Sequence, residues 1–334
     1  MNTAHKDRIR FAVVVPAYNE AESLEELVSR IGDVFGSIGY SGEFEVVVIN
    51  DGSTDDTENT VANLKRKYTW LRAVHLRRNS GKSLALMVGF RDTNAEIVIT
   101  MDADLQDRPE DIPLFLAKLA EGFDLVSGWR VSRQETLVRK VGSRIYNAVT
   151  KLSSGLKVHD MNCGFKAYAG ATVRNIVVFG QYHRYLPLLA HLAGYRVGEV
   201  AIGNDNRRHG FSKFRSFRYQ GLFDLLSLLF LHRFGLNPLH FFGPLGFGIT
   251  AIGLLVLTYF VGSEFLFWFG FGDQFRVQDR PLLSFSLTAV LLGLIVFLVG
   301  FICDFFLHHQ IRDNIDHIIR LNVRTDDDRT PPAR

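Results

Sequence analysis

The chain has 334 residues, with 38 lysines and arginines against 35 aspartates and glutamates and a hydrophobic fraction of 47%. A net charge of +3 is too small to argue for nucleic acid as a partner, and two cysteines lying far apart, Cys163 and Cys303, exclude a disulfide framework or a zinc-binding spacing. The apolar residues are unevenly spread: residues 1–216 alternate apolar and charged stretches, whereas 236–307 are dominated by Phe, Leu, Gly and Val.

The basic residues Lys6, Arg8 and Arg10 precede Phe11–Val15, a run too short for a signal-peptide core and interrupted by Pro16, so it reads as a first strand. Further short apolar runs rich in β-branched residues follow at Phe44–Ile49, Arg72–Leu76, Glu96–Met101 and Asp124–Ser127. Helical patterns lie between them, at 20–36, 55–67, 81–92 and 110–121. This alternation predicts an α/β domain with a mostly parallel sheet. Ligands in such sheets bind beyond the carboxyl ends of the strands. The polar clusters Pro16–Glu20, Asn50–Asp55 and Asp102–Gln106 fall at those ends. In the third, a buried-type strand ends in two aspartates one residue apart and then an amide. That set suits a hard divalent cation, which takes oxygen ligands and is usually shared with substrate phosphates. Asn79-Ser80-Gly81-Lys82-Ser83 contains the Gly-Lys-Ser that ends a P-loop, but the motif needs a glycine at position 76, which is Leu76, so an NTPase is rejected.

Residues 134–152 read as a helix with basic character from Arg133, Arg139, Lys140 and Arg144. A Gly- and Cys-containing stretch (Asp160–Tyr168), two more helices and a polar, basic loop (Asn204–Lys213) follow. Residues 216–236 are expected to be an interfacial amphipathic helix, with Gln220, Asp224 and Ser227 opposite a Leu/Phe face; a core-packed helix is the alternative. Within 237–307, the charge-free runs 241–262 and 282–303 are each long enough to cross a bilayer. Basic residues flank the pair (His232 and Arg233 before; His308, His309, Arg312 and Arg320 after), while the loop between has no basic excess. The expected topology places the 1–215 domain, the 308–334 tail and both termini in the cytoplasm. The Pro-containing stretch 324–334 is expected to be disordered.

Three segments then carry a resemblance: Val14-Val15-Pro16-Ala17-Tyr18-Asn19-Glu20, Asn50-Asp51-Gly52-Ser53-Thr54-Asp55 and Met101-Asp102-Ala103-Asp104-Leu105-Gln106-Asp107. In this order and spacing they resemble the family-2 glycosyltransferases of the GT-A fold, in particular the polyprenyl-phosphate glycosyltransferases such as dolichol-phosphate mannose synthases and bactoprenol glucosyltransferases. The resemblance covers about residues 10–235. It implies that Pro16, Tyr18, Glu20 and Asp51 line the nucleotide pocket, with Asp51 toward the base or ribose; the Asp51 segment also satisfies a turn and helix cap. It implies Asp102, Asp104 and Gln106 as ligands of Mg²⁺ or Mn²⁺ against the donor diphosphate, and Lys82 at the border of the donor site, where it reads equally as a solvated lysine. Arg130, Arg139 and Ser143 match positions that hold the acceptor phosphate, for which forked guanidinium donors are suited. Asn206–Lys213 resembles a segment that closes over the donor pyrophosphate, with Arg207 as the matching arginine, Arg208 as a one-residue alternative, and Ser212 and Lys213 toward the acceptor. A basic loop contacting anionic lipid is the other reading.

Asp160 matches an aspartate discussed as a catalytic base. A lipid monophosphate has a second pKa near ~6 and is already mostly a dianion near neutral pH, so an orienting role for Asp160 stays open beside Asp104 and Arg207 as catalytic residues. The implied activity is inverting transfer of a hexose from UDP-glucose or GDP-mannose to undecaprenyl or dolichyl phosphate at the cytoplasmic membrane face. A modified sugar of amino or formamido-arabinose type, and a non-catalytic membrane scaffold, are the alternatives. Expected partners are the nucleotide sugar donor, the polyprenyl phosphate and the bilayer, with a homo-oligomer through the spans left open.

Overall fold

The computed structural model describes residues 9–131, 150, 154–156, 158–178, 180–203, 205, 219–235, 237–270 and 281–327. They belong to two units, Met1–Leu226 and Ser227–Arg334. In the first, β1 (Phe11–Ala17), β2 (Phe44–Asn50), β3 (Leu71–His75), β4 (Ile97–Thr100), β5 (Leu125–Arg130), β6 (Lys166–Ala169) and β7 (Val197–Ile202) form one sheet in the order β3-β2-β1-β4-β6-β5-β7. Every pairing is parallel except those of β6, which runs antiparallel to both β4 and β5. The helices of this unit are α1 (Ala21–Ser37), α2 (Thr57–Lys67), α3 (Lys82–Asp92), α4 (Ile112–Ala120), α5 (Gly170–Asn175) and α6 (Leu186–Leu192). The mostly parallel α/β sheet expected from the alternation of patterns is therefore present.

β1 is apolar along its length because helices cover both sheet faces. Phe11, Val13 and Val15 pack in one core with Leu24, Leu27, Val28 and Ile31 of α1, Val61 and Leu64 of α2, and Phe115 of α4. The apolar positions of α1 recur at helical spacing, which gives it one buried stripe. On the other face, α3 comes so close that a Cβ on Gly89 would lie 2.3 Å from Val14 Cγ1. Only a residue without a side chain lets this helix settle there.

Two strands were not among those expected from the sequence. β6 has only four residues, starts on a lysine and shows no alternation, so neither periodicity nor composition marks it. β7 carries Gly198 and Glu199 within its six residues and lies at the sheet edge. The expected helix at 134–152 lies almost wholly outside the described residues, as does most of the 204–213 loop.

α7 (Tyr219–Phe234) follows. In the second unit, α8 (Leu239–Trp268) and α9 (Pro281–Asp327) are both long and apolar enough to cross a membrane. They pack antiparallel through small residues. A Cβ on Gly246 would meet Gly293 O at 2.6 Å, one on Gly253 would meet Ser286 O at 2.8 Å, and one on Gly300 would meet Phe242 Cβ at 2.6 Å. Such close backbone approach is how helices without a hydrophobic drive between them gain packing. α9 also corrects an expectation, because the helix continues to Asp327 where 324–334 was expected to be disordered. No Gly or Pro interrupts the chain between Cys303 and Asp327, so nothing local ends the helix.

Candidate active site

Four segments meet at the carboxyl ends of β1, β2 and β4. After β1, Asn19 takes a positive φ of 53° and ties its loop to the next: its N–H donates to Ser53 Oγ at 2.9 Å, and its Oδ1 accepts from Thr54 N at 2.8 Å. Glu20 N donates to Thr57 Oγ1 at 3.0 Å, and Ser23 Oγ donates to Glu20 Oε2 at 3.2 Å. Pro16 is the penultimate residue of β1, half-buried, and Tyr18 is half-buried in the loop that follows. After β2, Gly52 has φ +66°, and a Cβ there would lie 2.4 Å from the Arg78 carbonyl carbon, so two loops touch backbone to backbone.

Asp51 fastens that contact. Its Oδ1 accepts from Ser80 N at 2.7 Å and its Oδ2 from Gly81 N at 2.9 Å, and it is 4% exposed. The sequence reading turned this carboxylate toward a base or ribose. In the structure both oxygens are taken by amides at the start of α3, where the helix dipole favours an anion. Asp51 thereby fixes the position of Lys82, the first residue of that helix.

Lys82 Nζ is ion-paired with Asp102 Oδ1. Asp102 stands just past β4 against Gly164, whose Cβ, if present, would lie 2.5 Å from Asp102 Oδ2. Burial works to raise the Asp102 pKa, but Lys82, Arg130 and Lys166 overcome it and hold the carboxyl below its usual range. Asp104 is 8% exposed and its Oδ1 accepts from Gln106 N at 3.3 Å. Between them Leu105 adopts φ +60° while its side chain is buried in the core, a strained backbone held by packing. Gln106 O accepts from Asp205 N at 3.0 Å, Arg108 pairs with Asp205, and Gly203 N donates to Asp111 Oδ2 at 3.1 Å. The end of β7 is thus tied to the acidic loop.

Arg130, expected as an acceptor ligand, and Asp160, expected as a base or an orienting group, are bonded to each other. Arg130 Nε donates to Asp160 Oδ2 at 3.0 Å, and the side chains are 10% and 13% exposed. The Asp160 backbone is pinned in turn. Glu199 of β7 accepts from His159 N at 2.8 Å and Asp160 N at 3.1 Å, while Trp129 stacks on the His159 ring at 4.3 Å. Arg139, Ser143, Arg207, Ser212 and Lys213 lie outside the described residues.

Three groups were missed as contributors. Lys166, paired in register with Thr100 and Ser127, is 2% exposed and its Nζ donates to Cys163 O. Burial, helped by Lys82, lowers its pKa to about 8 against the pull of Cys163, Asp160 and Asp102. A lysine inside Gly-Phe-Lys-Ala-Tyr was the available signal, since lysines are almost never fully buried without partners. Asp107 is 2% exposed, and its Oδ1 is buried without a hydrogen-bond partner among the described residues. Burial pushes its pKa up to about 7, with Asp102 and Asp104 adding to the rise and Arg130 and Lys82 opposing it. His183 Nδ1 lies 2.9 Å from Ser83 Oγ, and burial, Lys82, Arg184 and Lys166 lower its pKa to about 3.

This crowding tests whether a cation fits. Asp102, Asp104 and Gln106 offer only oxygen donors, and the unpartnered Asp107 oxygen shows an excess of acid that a cation would relieve. Among the described residues no three acidic, cysteine or histidine groups form a complete cage.

Residues 12–175 match the family described as glycosyl transferase family 2. The chain is 32% identical over 324 residues to the dodecaprenyl-phosphate galacturonate synthase of Rhizobium johnstonii, covering 93% of this chain and 92% of that protein. It is also 32% identical over 266 residues to the undecaprenyl-phosphate 4-deoxy-4-formamido-L-arabinose transferase of Pseudomonas fluorescens, covering 78% and 76% of the two chains. Among solved structures, glucosyl-3-phosphoglycerate synthase from Mycobacterium tuberculosis, in complex with Mn²⁺ and uridine-diphosphate-glucose, shares the fold at a TM-score of 0.52 and 22% identity, over 65% of this chain and 78% of that one. With the acidic loop at the end of β4 and a relative matched over 93% of its length, the chain belongs to the family-2 glycosyltransferases and is a glycosyltransferase of the GT-A fold.

Proposed function

We propose that this enzyme transfers a sugar from a nucleoside diphosphate to a polyprenyl phosphate at the membrane surface. The observation that carries the reading is the placement of Asp102, Asp104 and Lys82 together at the carboxyl end of β4, in a chain that also supplies two helices able to span a bilayer. The names of the two relatives, each a polyprenyl-phosphate sugar enzyme, support it.

Asp102, Asp104 and Gln106 are the residues that would hold Mg²⁺ or Mn²⁺, and the ion supplies charge neutralisation for the departing diphosphate. Lys82, placed by Asp51, adds a cation on the donor side, with Arg207 proposed beside it. The Tyr18–Glu20 and Asp51–Ser53 loops shape the nucleotide pocket. On the acceptor side the dianionic lipid phosphate attacks the anomeric carbon opposite the leaving group, and the configuration inverts. Arg130 faces this phosphate with Arg139, Ser143, Ser212 and Lys213. Asp160, held by Arg130, orients the guanidinium; a dianion near neutral pH needs no base to deprotonate it. Anchoring keeps enzyme and lipid on one surface and raises their effective concentration. The basic flanks of the two spans support a cytoplasmic catalytic unit with both termini on that side.

The sugar is tested directly. Purified protein in detergent is given undecaprenyl phosphate, Mn²⁺ or Mg²⁺, and labelled UDP-galacturonate, UDP-glucose, GDP-mannose or UDP-formamido-arabinose, and label in the organic phase is counted. Galacturonate is the first donor to try, because that relative matches nearly the whole chain. Label from one donor, lost on chelation and in Asp104→Ala, is the expected result. No transfer from any donor overturns the acceptor assignment. Labelling of Gln274→Cys only from the non-cytoplasmic side is expected, and labelling from the cytoplasm reverses the topology.

A further inference from the structure

Asp102 has two competitors for one carboxylate. Its Oδ1 is held by Lys82. Its side chain also rests against the Gly164 backbone, with no room for even a methyl group. One side of the carboxylate is therefore blocked, although the side chain is 32% exposed. Lys82 has the greater reach: its ammonium ends a flexible stem, and its backbone is fixed at the head of α3 by Asp51. When the two charges separate, the lysine moves.

We propose that Lys82 is a latch that couples cation binding to diphosphate binding: it occupies Asp102 until a nucleoside diphosphate draws the ammonium away, and so releases the carboxylate for the divalent cation. The inference rests on the donor site proposed above and adds to it an order of events. A cation arriving alone must displace an ion pair and then sit beside a displaced ammonium. With a diphosphate present, Lys82 gains an anionic partner of its own and Asp102 is free. Each ligand then tightens the other, and by linkage the factor is the same in both directions. Lys166 remains behind Asp102 when Lys82 leaves, buried and bonded to Cys163 O, so the carboxylate does not lose every positive neighbour at once. The consequence for the cell is that cation and diphosphate each load less readily without the other, by that same factor.

The test is Mn²⁺ binding to the full chain in detergent, read from loss of the free-ion EPR signal, with and without UDP and separately GDP. Wild type, Lys82→Met, Lys82→Gln and Lys82→Arg are compared, with melting temperatures recorded to confirm that each is folded. Without nucleotide, both uncharged variants should bind Mn²⁺ about two- to fivefold tighter than wild type, the range expected for losing one partly exposed competing charge. The tightening produced by nucleotide should shrink by the same factor, and Lys82→Arg should stay near wild type. The nucleotide-free measurement does not depend on which base the enzyme prefers. If the folded Met and Gln variants bind Mn²⁺ no tighter than wild type, the latch is overturned while the cation site stands. If no protein binds Mn²⁺ with or without nucleotide, the cation site itself is refuted and the latch with it.

Discussion

Gly164→Ala isolates the geometry of the acidic loop from its composition, because it removes no functional group. The added Cβ would lie 2.5 Å from Asp102 Oδ2 and 2.6 Å from its Cγ, about 0.9 Å short of the 3.4 Å at which ordinary contact begins. Gly164 does not have a left-handed φ, so alanine is acceptable to the backbone and the cost falls on the neighbour. Two outcomes are open to the molecule. The carboxylate can swing away, which costs about 1–3 kcal/mol of overpacking, or the 160–165 segment can shift and carry Arg130–Asp160 with it. In the first case Asp102 leaves its place by most of an ångström, in the second Arg130–Asp160 does, and displacements of that size cost on the order of 10²-fold in rate. The assay is transfer of labelled sugar to extractable lipid at saturating metal, read beside the melting temperature. Turnover should fall by about a hundredfold while the protein stays folded, with Mn²⁺ affinity reduced in parallel. Near-normal turnover with unchanged Mn²⁺ affinity would refute the claim that Asp102 must stand where Gly164 leaves room for it.

Other perturbations separate roles that the static site leaves entangled. Asp160→Asn keeps an oxygen for Arg130 Nε, so an orienting role predicts activity within about tenfold of wild type and an unchanged pH profile, whereas a base predicts a loss of about 10²–10⁴. Asp51→Asn presents an NH₂ to one of two amide donors; it should cost about 1–3 kcal/mol in stability and raise the donor KM more than it lowers kcat, and an unchanged donor KM would sink the clamp assignment. His183 has a folded pKa of about 3, below its ordinary 6.5, so it binds a proton more readily when unfolded. Its stabilising contribution is complete above about pH 6.5 and is lost as pH falls toward 3, at about 1.4 kcal/mol per pH unit. His183→Gln should flatten that part of the Tm-against-pH curve, and a curve parallel to wild type would mean the ring is not buried as a neutral group.

The sequence alone determined the elements whose signals are local. β1 to β5 and α1 to α4 announce themselves by apolar runs and helical spacing, because each buries a face of its own and the pattern is written within ten or so residues. The two helices able to cross a bilayer are legible for the same reason, since each apolar run is written within one continuous segment. The acidic loop was also legible, as Asp102, Asp104 and Gln106 follow one another in the chain. Tertiary structure decided everything that depends on residues distant in sequence. β6 exists because β4 and β5 flank it on both sides: four residues starting on a lysine have no strand signal, and their backbone groups find partners only in place between those two edges. That Asp51 also clamps the 78–81 loop, with both oxygens bonded to its amides, shows only once that loop comes down on Gly52. Arg130 and Asp160, thirty residues apart, read as separate functional groups, yet each is the other's charge partner in a place too buried for either to stand alone. Lys82 could be read as solvated for the same reason. A charge declares its role by what it faces, and what it faces is fixed only when the strands are ordered.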